Sequence, residues 1–241
     1  MTGGLRGIAS RVRRARMTSD ERALFAEPWY HDFSPLGLPT RQRGGIFPDN
    51  QAAKQGPIFR LLDDALGRAA VRRPDPSVLE LFCADGFYGL RAALCGARRV
   101  VGVDTDEREV AKARLAAKLL GVTAAEFRVA DVFLTPDPAC VAICAGGLYH
   151  LTDPARLLDQ LRGQVSDALV VQTVYHLGRT ESDYFEAPAP GWTWGCRFSY
   201  EHLLAMVAAC GWRVEHAETN ELLGNDRPED RGSAYLLCTP G

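Results

Sequence analysis

The chain alternates between short apolar runs and longer segments in which apolar residues recur every three or four positions. Runs of the first kind, typical of strands buried on both faces, are 77–82, 99–103, 125–129, 139–145, 167–174, 212–219 and 233–239. Segments with helical periodicity are 87–96, 106–120, 153–163 and 199–210. This alternation predicts an α/β fold with a Rossmann-like, seven-stranded, mostly parallel sheet and helices on both faces. Only a loop separates the last two strands, so we expect them to form an antiparallel final pair.

An N-terminal helical and loop extension, residues 1–76, precedes this alternation. Residues 1–26 are rich in arginine and predict a short basic helix or a frayed arm. Residues 27–55 combine several prolines with aromatic side chains and predict a loop that packs over something. Residues 56–73 predict a helix. We expect the extension to cover the active site of a second unit, residues 77–241, which binds the ligands.

Composition narrows the function classes. The net charge of −2 argues against a dedicated nucleic-acid binder, and no apolar run is long enough to span a membrane. Seven cysteines form no Cys-x-x-Cys pair and the five histidines are scattered, so no metal site is predicted. We expect reduced thiols and a cytoplasmic protein.

The loop after the first strand reads Phe82-Cys-Ala-Asp-Gly-Phe-Tyr-Gly89 and follows an acid, Glu80. A dinucleotide fingerprint would place glycines near Phe82 and Ala84 and keep the turn free of negative charge. Here Asp85 precedes Gly86, which disfavours the pyrophosphate of NAD. A nucleoside that carries positive charge and no phosphate fits this loop better.

Two further acids end the next strands. Asp104, with Thr105 beside it, is placed to accept both hydroxyls of a ribose, or else to cap the following helix. Asp131, with Val132 beside it, is placed to meet the exocyclic amine of adenine, or else to form a turn.

Taken in this order, the acidic turn and the acids of the second and third strands resemble class I S-adenosylmethionine-dependent methyltransferases over roughly 77–239. The resemblance implies S-adenosyl-L-methionine as the cofactor. The residues that would bind it are Glu80, Asp85, Gly86, Tyr88, Asp104, Thr105, Asp131, Val132 and Tyr149.

Four segments show a closer resemblance, to the tRNA wobble-uridine methyltransferase/carboxymethyltransferase-like family and its small-molecule relatives. They are 29–33, 85–89, 146–154 and 191–195. The resemblance implies that Tyr149 and His150 lie beside the methyl donor. The short N-terminal region and the acidic net charge depart from the tRNA enzymes.

Methyl transfer to a hydroxyl benefits from a general base, and histidine is the usual one. The candidate catalytic residues are His150, His176 and His31, each with a structural role as the alternative. Aromatic and polar side chains outside the βα units predict an acceptor pocket for a flat ring or a sugar face, unless they form a satellite hydrophobic cluster. The predicted substrate-binding residues are Trp29, Tyr30, Tyr184, Trp192, Trp194, Arg197 and Arg231.

The sequence therefore predicts methyl transfer to a hydroxyl of a small-molecule acceptor in a biosynthetic pathway. It predicts a homodimer, and neither a membrane nor a nucleic acid as a partner. The alternatives are a tRNA wobble-uridine methyl- or carboxymethyltransferase, a non-catalytic nucleoside- or partner-binding module, and a dehydrogenase. Lys54 and Arg231 could hold the extra carboxylate of a modified donor. We expect instead an ordinary donor and a solvent-exposed Lys54.

Overall fold

A seven-stranded sheet forms the centre of the molecule in a computed structural model that describes residues 13–225 and 227–241. Its strands are β1 Ser77–Leu81, β2 Arg99–Asp104, β3 Ala125–Val129, β4 Ala139–Ala145, β5 Val165–Tyr175, β8 Trp212–Glu221 and β9 Gly232–Pro240. Their order in the sheet is β3-β2-β1-β4-β5-β9-β8. The first five are parallel to one another, and β9 pairs antiparallel with both β5 and β8. The predicted Rossmann-like sheet with an antiparallel final pair is confirmed.

Helices cover both faces of the sheet. They are α1 Ser19–Ala26, α2 Phe47–Arg72, α3 Phe87–Leu94, α4 Glu107–Leu120, α5 Pro154–Gln164 and α6 Tyr200–Ala209. Successive strand residues point to opposite faces, so Val100 packs with α2, α3 and α4, whereas Val101 packs with α5 and α6.

The first long helix is longer than the sequence predicts. Residues 47–55 were expected to be a loop because of Pro48, but α2 begins at Phe47 and Pro48 lies in its first turn, where proline costs no backbone hydrogen bond. Pro57 lies inside the helix and cannot donate to the carbonyl of Ala53. The side chain of Asn220 in β8 donates to that carbonyl instead, at 3.1 Å, so a neighbouring strand satisfies the group that the proline leaves unpaired.

Other parts of the extension fold as well. The predicted basic segment contains α1, which Thr18 caps by accepting from the backbone N–H of Glu21, and its residues 1–12 lie outside the described part. A small hairpin of β6 Phe185–Glu186 and β7 Arg197–Phe198 was not predicted. No described helix is long and apolar enough to cross a membrane.

One hydrophobic core joins the extension to the sheet. Trp29 and Phe33 are fully buried and belong to the same cluster as Ile58 of α2 and Val141 of β4. The functional division at residue 76 stays a prediction, since the core crosses that boundary.

Candidate active site

The loop between β1 and α3 adopts the backbone of a glycine-rich turn without its glycines. Phe82 and Ala84 have φ angles of 54° and 44°, which non-glycine residues rarely adopt. The ring of Phe82 packs flat on Gly147, where an added Cβ would lie 1.9 Å from the ring. Gly86 has a φ of 76°, and a Cβ there would lie 2.6 Å from Phe127. The backbone of Phe82 and Ala84 is therefore strained, because residues with a side chain rarely adopt these φ angles.

Asp104 joins this turn to the end of β2. Its Oδ2 accepts from the backbone N–H of Ala84 and its Oδ1 from that of Asp106, both at 2.9 Å. The cap of α4 is Asp106, whose side chain accepts from the N–H groups of Arg108 and Glu109. Asp104 is half-buried and each of its oxygens keeps a second lone pair, so it retains acceptors for a ligand.

A cavity of about 360 Å³ lies at the carboxyl ends of the strands, where the fold predicts a ligand. We call it the donor cavity. It is lined by Tyr30, His31, Gln51, Lys54, Glu80, Phe82, Cys83, Ala84, Tyr88, Asp104, Thr105, Ala145, Gly146, His150 and Gln172. Seven of these were predicted site residues: Tyr30, His31, Glu80, Tyr88, Asp104, Thr105 and His150.

Two buried titratable side chains, Glu80 and Lys54, line the donor cavity. Burial, together with the charges of Asp85 and Asp104, raises the pKa of Glu80 to about 8. Burial alone lowers the pKa of Lys54 to about 8. The expectation that Lys54 is solvent-exposed is wrong, because α2 extends further toward the N-terminus than predicted. Lys54 thereby lies in the cavity beside Tyr30 of residues 27–46, which we call the aromatic segment, and it is 6% exposed.

Asp85 does not line the donor cavity. It is fully buried, and its two oxygens bind His31, one accepting from the backbone N–H at 2.8 Å and the other from Nδ1 at 2.6 Å. The imidazole of His31 also stacks on Phe87. The pair therefore fastens the aromatic segment to the turn, and this engagement makes His31 a positioning residue rather than a free base.

Two further cavities continue from the donor cavity. A middle cavity of about 360 Å³ shares Tyr30, Gln51, Lys54 and His150 with it. An acceptor cavity of about 320 Å³ shares Tyr149, Val174, Asn225 and Asp230 with the middle one. The three form one trough that leads from the ends of the strands to the aromatic residues of the 189–198 segment.

The Tyr149–His150 motif lies between the donor and acceptor cavities, along the middle cavity. The side chain of His150 is exposed to solvent on one side, but desolvation by its neighbours lowers its pKa and the nearby charge of Lys54 lowers it further. Burial raises the pKa of Tyr149 above its usual range. His150 stacks on Trp194, with ring centroids 5.2 Å apart. Both side chains are thus neutral at neutral pH.

The acceptor cavity is aromatic with a few polar groups. Trp192 and Trp194 are 52% and 43% exposed and meet edge to face. Arg197 binds Asp230 at 2.6 Å. These three predicted substrate-binding residues line one cavity, although Arg197 reaches it already paired.

Other predicted residues lie outside these three cavities, within the described part of the chain. Trp29 is fully buried and its indole N–H donates to the carbonyl of Phe25, so it is a core residue. Tyr184 binds Glu186, and Arg231 binds the carbonyl of Asn225.

The remaining predicted site residues have local structural partners. His176 accepts from the N–H of Gly178 through Nδ1 and contacts the ring of Tyr184. The Asp131 carboxylate accepts from the N–H of Phe133 and thereby forms the predicted alternative, a turn, while Val132 packs in the core. Gly86 caps α3.

Three residues that the sequence did not single out complete the trough. Gln51 lies in the part of α2 that was predicted to be a loop. Gln172 lies inside an apolar strand, β5, where a glutamine is unusual and could have served as a signal. Asn225 lies in the loop that joins β8 to β9 and is not among the predicted substrate-binding residues.

Comparisons with known proteins agree with this geometry. A family model described as a methyltransferase domain matches residues 73–184. Among curated proteins, none matches the chain in sequence. The N-terminal domain of EvdMO1, solved in the presence of SAH and D-fucose, is 20% identical with a TM-score of 0.65 and covers 96% of both chains.

Two other structures share the fold. Magnesium protoporphyrin IX methyltransferase (ChlM) from Synechocystis PCC 6803, with bound SAH, is 14% identical with a TM-score of 0.64 and covers 87% of this chain and 93% of its own. The [4+2]-cyclase SpnF is 20% identical with a TM-score of 0.60 and covers 76% of this chain and 80% of its own. These likenesses show the fold. One of the proteins is a cyclase, so the fold alone does not determine the reaction.

The resemblance inferred from the acidic turn is thus confirmed at the level of the class, while the closer one to the tRNA enzymes stays a prediction. The methyltransferase-domain match over residues 73–184, the shared fold and the acids at the strand ends together support an enzyme, a class I S-adenosylmethionine-dependent methyltransferase.

Proposed function

We propose that the chain transfers a methyl group from S-adenosylmethionine to a hydroxyl of a small-molecule acceptor. The observation that carries this proposal is the continuous trough. His150 lines both the donor and the middle cavity, and Tyr149 lines both the middle and the acceptor cavity. A donor held at the strand ends and an acceptor held against Trp192 and Trp194 would therefore meet at the Tyr149–His150 motif.

The donor cavity suits this cofactor chemically. Asp104 offers carboxylate acceptors to the two ribose hydroxyls, and the carboxyl of Glu80 offers a further hydrogen-bond acceptor in the same cavity. Phe82 and Ala84 stand where a dinucleotide-binding turn has the glycines that let its backbone approach a pyrophosphate, which disfavours NAD. S-adenosylmethionine supplies a methyl group already activated by a sulfonium, so the protein's main contribution is to align the acceptor with it, an effect worth up to about 7–11 kcal/mol.

His150 is the best placed general base. Desolvation by the neighbouring side chains lowers the pKa of its imidazole and so favours the unprotonated form, and it lies where the donor and middle cavities meet. In this position it would accept the hydroxyl proton as the oxygen attacks, a contribution of roughly 10²–10⁴-fold. Neither His31, held by Asp85, nor His176, outside the trough, has this location.

The acceptor cavity favours a hydroxylated ring. The exposed faces of Trp192 and Trp194 offer apolar contact to a flat ring or a sugar face, and Asn225 and Asp230 offer hydrogen-bonding groups. The EvdMO1 domain, of the same fold, was solved in the presence of D-fucose, which supports a sugar-like acceptor here.

The test is transfer of a deuterated methyl group, followed by mass spectrometry, with a panel of sugars and phenols and with total tRNA. We expect label on an oxygen of a small molecule, and label confined to tRNA nucleosides would contradict the proposal. On the accepted substrate, His150→Ala should reduce turnover by about 10²–10⁴-fold and leave SAH affinity unchanged. His176→Ala, the matched control, should retain turnover.

A further inference from the structure

Lys54 is a buried cation without a partner among the described residues. Its side chain lines both the donor and the middle cavity, and it takes part in no hydrogen bond or ion pair there. The other buried lysine, Lys112, behaves differently: its ammonium donates to the carbonyl of Pro28 at 2.9 Å and to Glu109 at 2.8 Å. A buried ammonium without a counter-ion is costly, so its retention at Lys54 points to a ligand that supplies one.

Hydrogen-bond acceptors of Gln172 and Glu80 lie in the donor cavity with Lys54. The Oε1 atom of Gln172 is buried and has no hydrogen-bond partner in the described part of the chain, while its Nε2 donates to Ser233 at 2.9 Å. The carboxyl of Glu80 lines the cavity as well, and hydrogen bonds from the backbone of Tyr88 and Gly89 leave it further lone pairs to accept with. A cation and two acceptor groups in one small space are complementary to the carboxylate and the ammonium of an α-amino acid.

The strand order indicates which end of a bound ligand lies near Lys54 and Gln172. The donor cavity runs from Asp104 at the end of β2, across Glu80 of β1 and Ala145 of β4, to Gln172 of β5. Three strand spacings are about 14 Å, roughly the span of a ribose with an amino-acid tail. A ligand whose ribose lies at Asp104 therefore places its other end beside Gln172 and the α2 residues Gln51 and Lys54.

We propose that Lys54 pairs with the carboxylate of the donor's amino-acid end, while Gln172 and Glu80 accept hydrogen bonds from its ammonium. This assignment rests on the proposed function, since it takes S-adenosylmethionine as the donor. It makes Lys54 a specificity residue, which distinguishes adenosine derivatives that carry the amino-acid end from those that lack it. It also gives α2 a role in binding, because the cation reaches the cavity from the extension and not from the sheet.

The test compares SAH with 5′-methylthioadenosine, which has the same nucleoside and thioether but no amino-acid end. Both are titrated calorimetrically into the wild type, Lys54→Met, Lys54→Arg and Lys118→Met. The last removes the same charge from an exposed position on α4 that pairs with Glu21. We expect Lys54→Met to weaken SAH about 10- to 100-fold, the scale of a lost charged hydrogen bond, and to leave methylthioadenosine within about twofold. Lys54→Arg should recover part of the loss, and Lys118→Met should bind like the wild type.

The assignment would be overturned if Lys54→Met lost affinity for both ligands equally, or lost affinity for neither. The second result would indicate that Lys54 pairs with an anionic group of the acceptor. Thermal melting without ligand, together with methylthioadenosine binding, separates a misfolded variant from a folded one. If Lys54→Met does not fold, Lys54→Gln is titrated in its place, with the same two outcomes. A wild type that binds neither ligand would overturn the proposed function as well, which distinguishes the two failures.

Discussion

At the scale of single residues, Asp104 illustrates how one carboxylate serves both the turn and the ligand. Because its oxygens hold the backbone of residues 84 and 106 and still face the donor cavity, Asp104→Ala should weaken SAH binding by about 1–3 kcal/mol. Calorimetry measures the change. Asp106→Ala is the matched control, since loss of the α4 cap should cost about 1 kcal/mol of stability with SAH affinity retained. Unchanged affinity in a folded Asp104→Ala protein would contradict the ribose role.

The burial of Lys54 should also affect how the free energy of unfolding of the unliganded protein depends on pH. Its pKa in the folded state is about 8, below the ordinary 10.5, so between these two pH values the unfolded chain binds more protons and the wild type gains stability as the pH rises. Lys54→Met has no such gain. At pH 7 the variant should therefore be more stable than the wild type, by on the order of 3 kcal/mol, and the difference should shrink toward pH 10. Urea unfolding at the two pH values measures it, and a variant less stable at pH 7 would contradict this account.

At the scale of elements, α2 depends on a contact from a strand far along the chain. Asn220→Ala leaves the carbonyl of Ala53 without its donor, and it should cost about 1–2 kcal/mol. Pro57→Ala restores a backbone N–H that can bind the same carbonyl. The loss from Asn220→Ala should therefore be smaller in the Pro57→Ala background, although Asn220 also accepts from the hydroxyl of Tyr235 in both. A double-mutant cycle by chemical unfolding reports the coupling, and additive effects would show that the two residues act independently.

The link between His31 and Asp85 fastens a second element, the aromatic segment, to the turn. His31→Ala leaves the fully buried Asp85 carboxylate without its side-chain partner, so it should cost about 3 kcal/mol or more of stability. It should also weaken SAH, because the residues before α2 close the donor cavity. Asp85→Ala in the same chain should add little, and a double variant as destabilised as the sum of the two would contradict the pairing.

How far the elements could be predicted depends on whether periodicity or local chemistry defines them. The buried strands β1 to β5 and the helices between them were predicted to within about two residues, because both faces of a parallel sheet must be apolar. The first turns of α2 were missed, because Pro48 and Pro57 disrupt the pattern and a distant asparagine compensates for one of them. The hairpin of β6 and β7 was also missed, since two-residue strands carry no periodicity.

At the scale of the whole molecule, the sheet topology assembles the site from residues spread over much of the chain. The acids at strand ends, Glu80 and Asp104, were predictable because parallel strands bring their carboxyl ends to one edge. The role of Asp85 was not, since only the fold shows that His31 reaches it. Likewise, the buried position of Lys54 and its proximity to Gln172 depend on how α2 packs on the sheet, and no local pattern records that.

The central claim, that the edge of this sheet holds S-adenosylmethionine, is tested most directly by titrating SAH and NAD separately into the wild-type chain. The account predicts that SAH binds at one site per chain and that NAD gives no binding heat, because Phe82 and Ala84 replace the glycines that let a turn approach a pyrophosphate. Asp104→Ala, titrated alongside, should weaken the SAH response. Binding of NAD without any response to SAH would contradict the account.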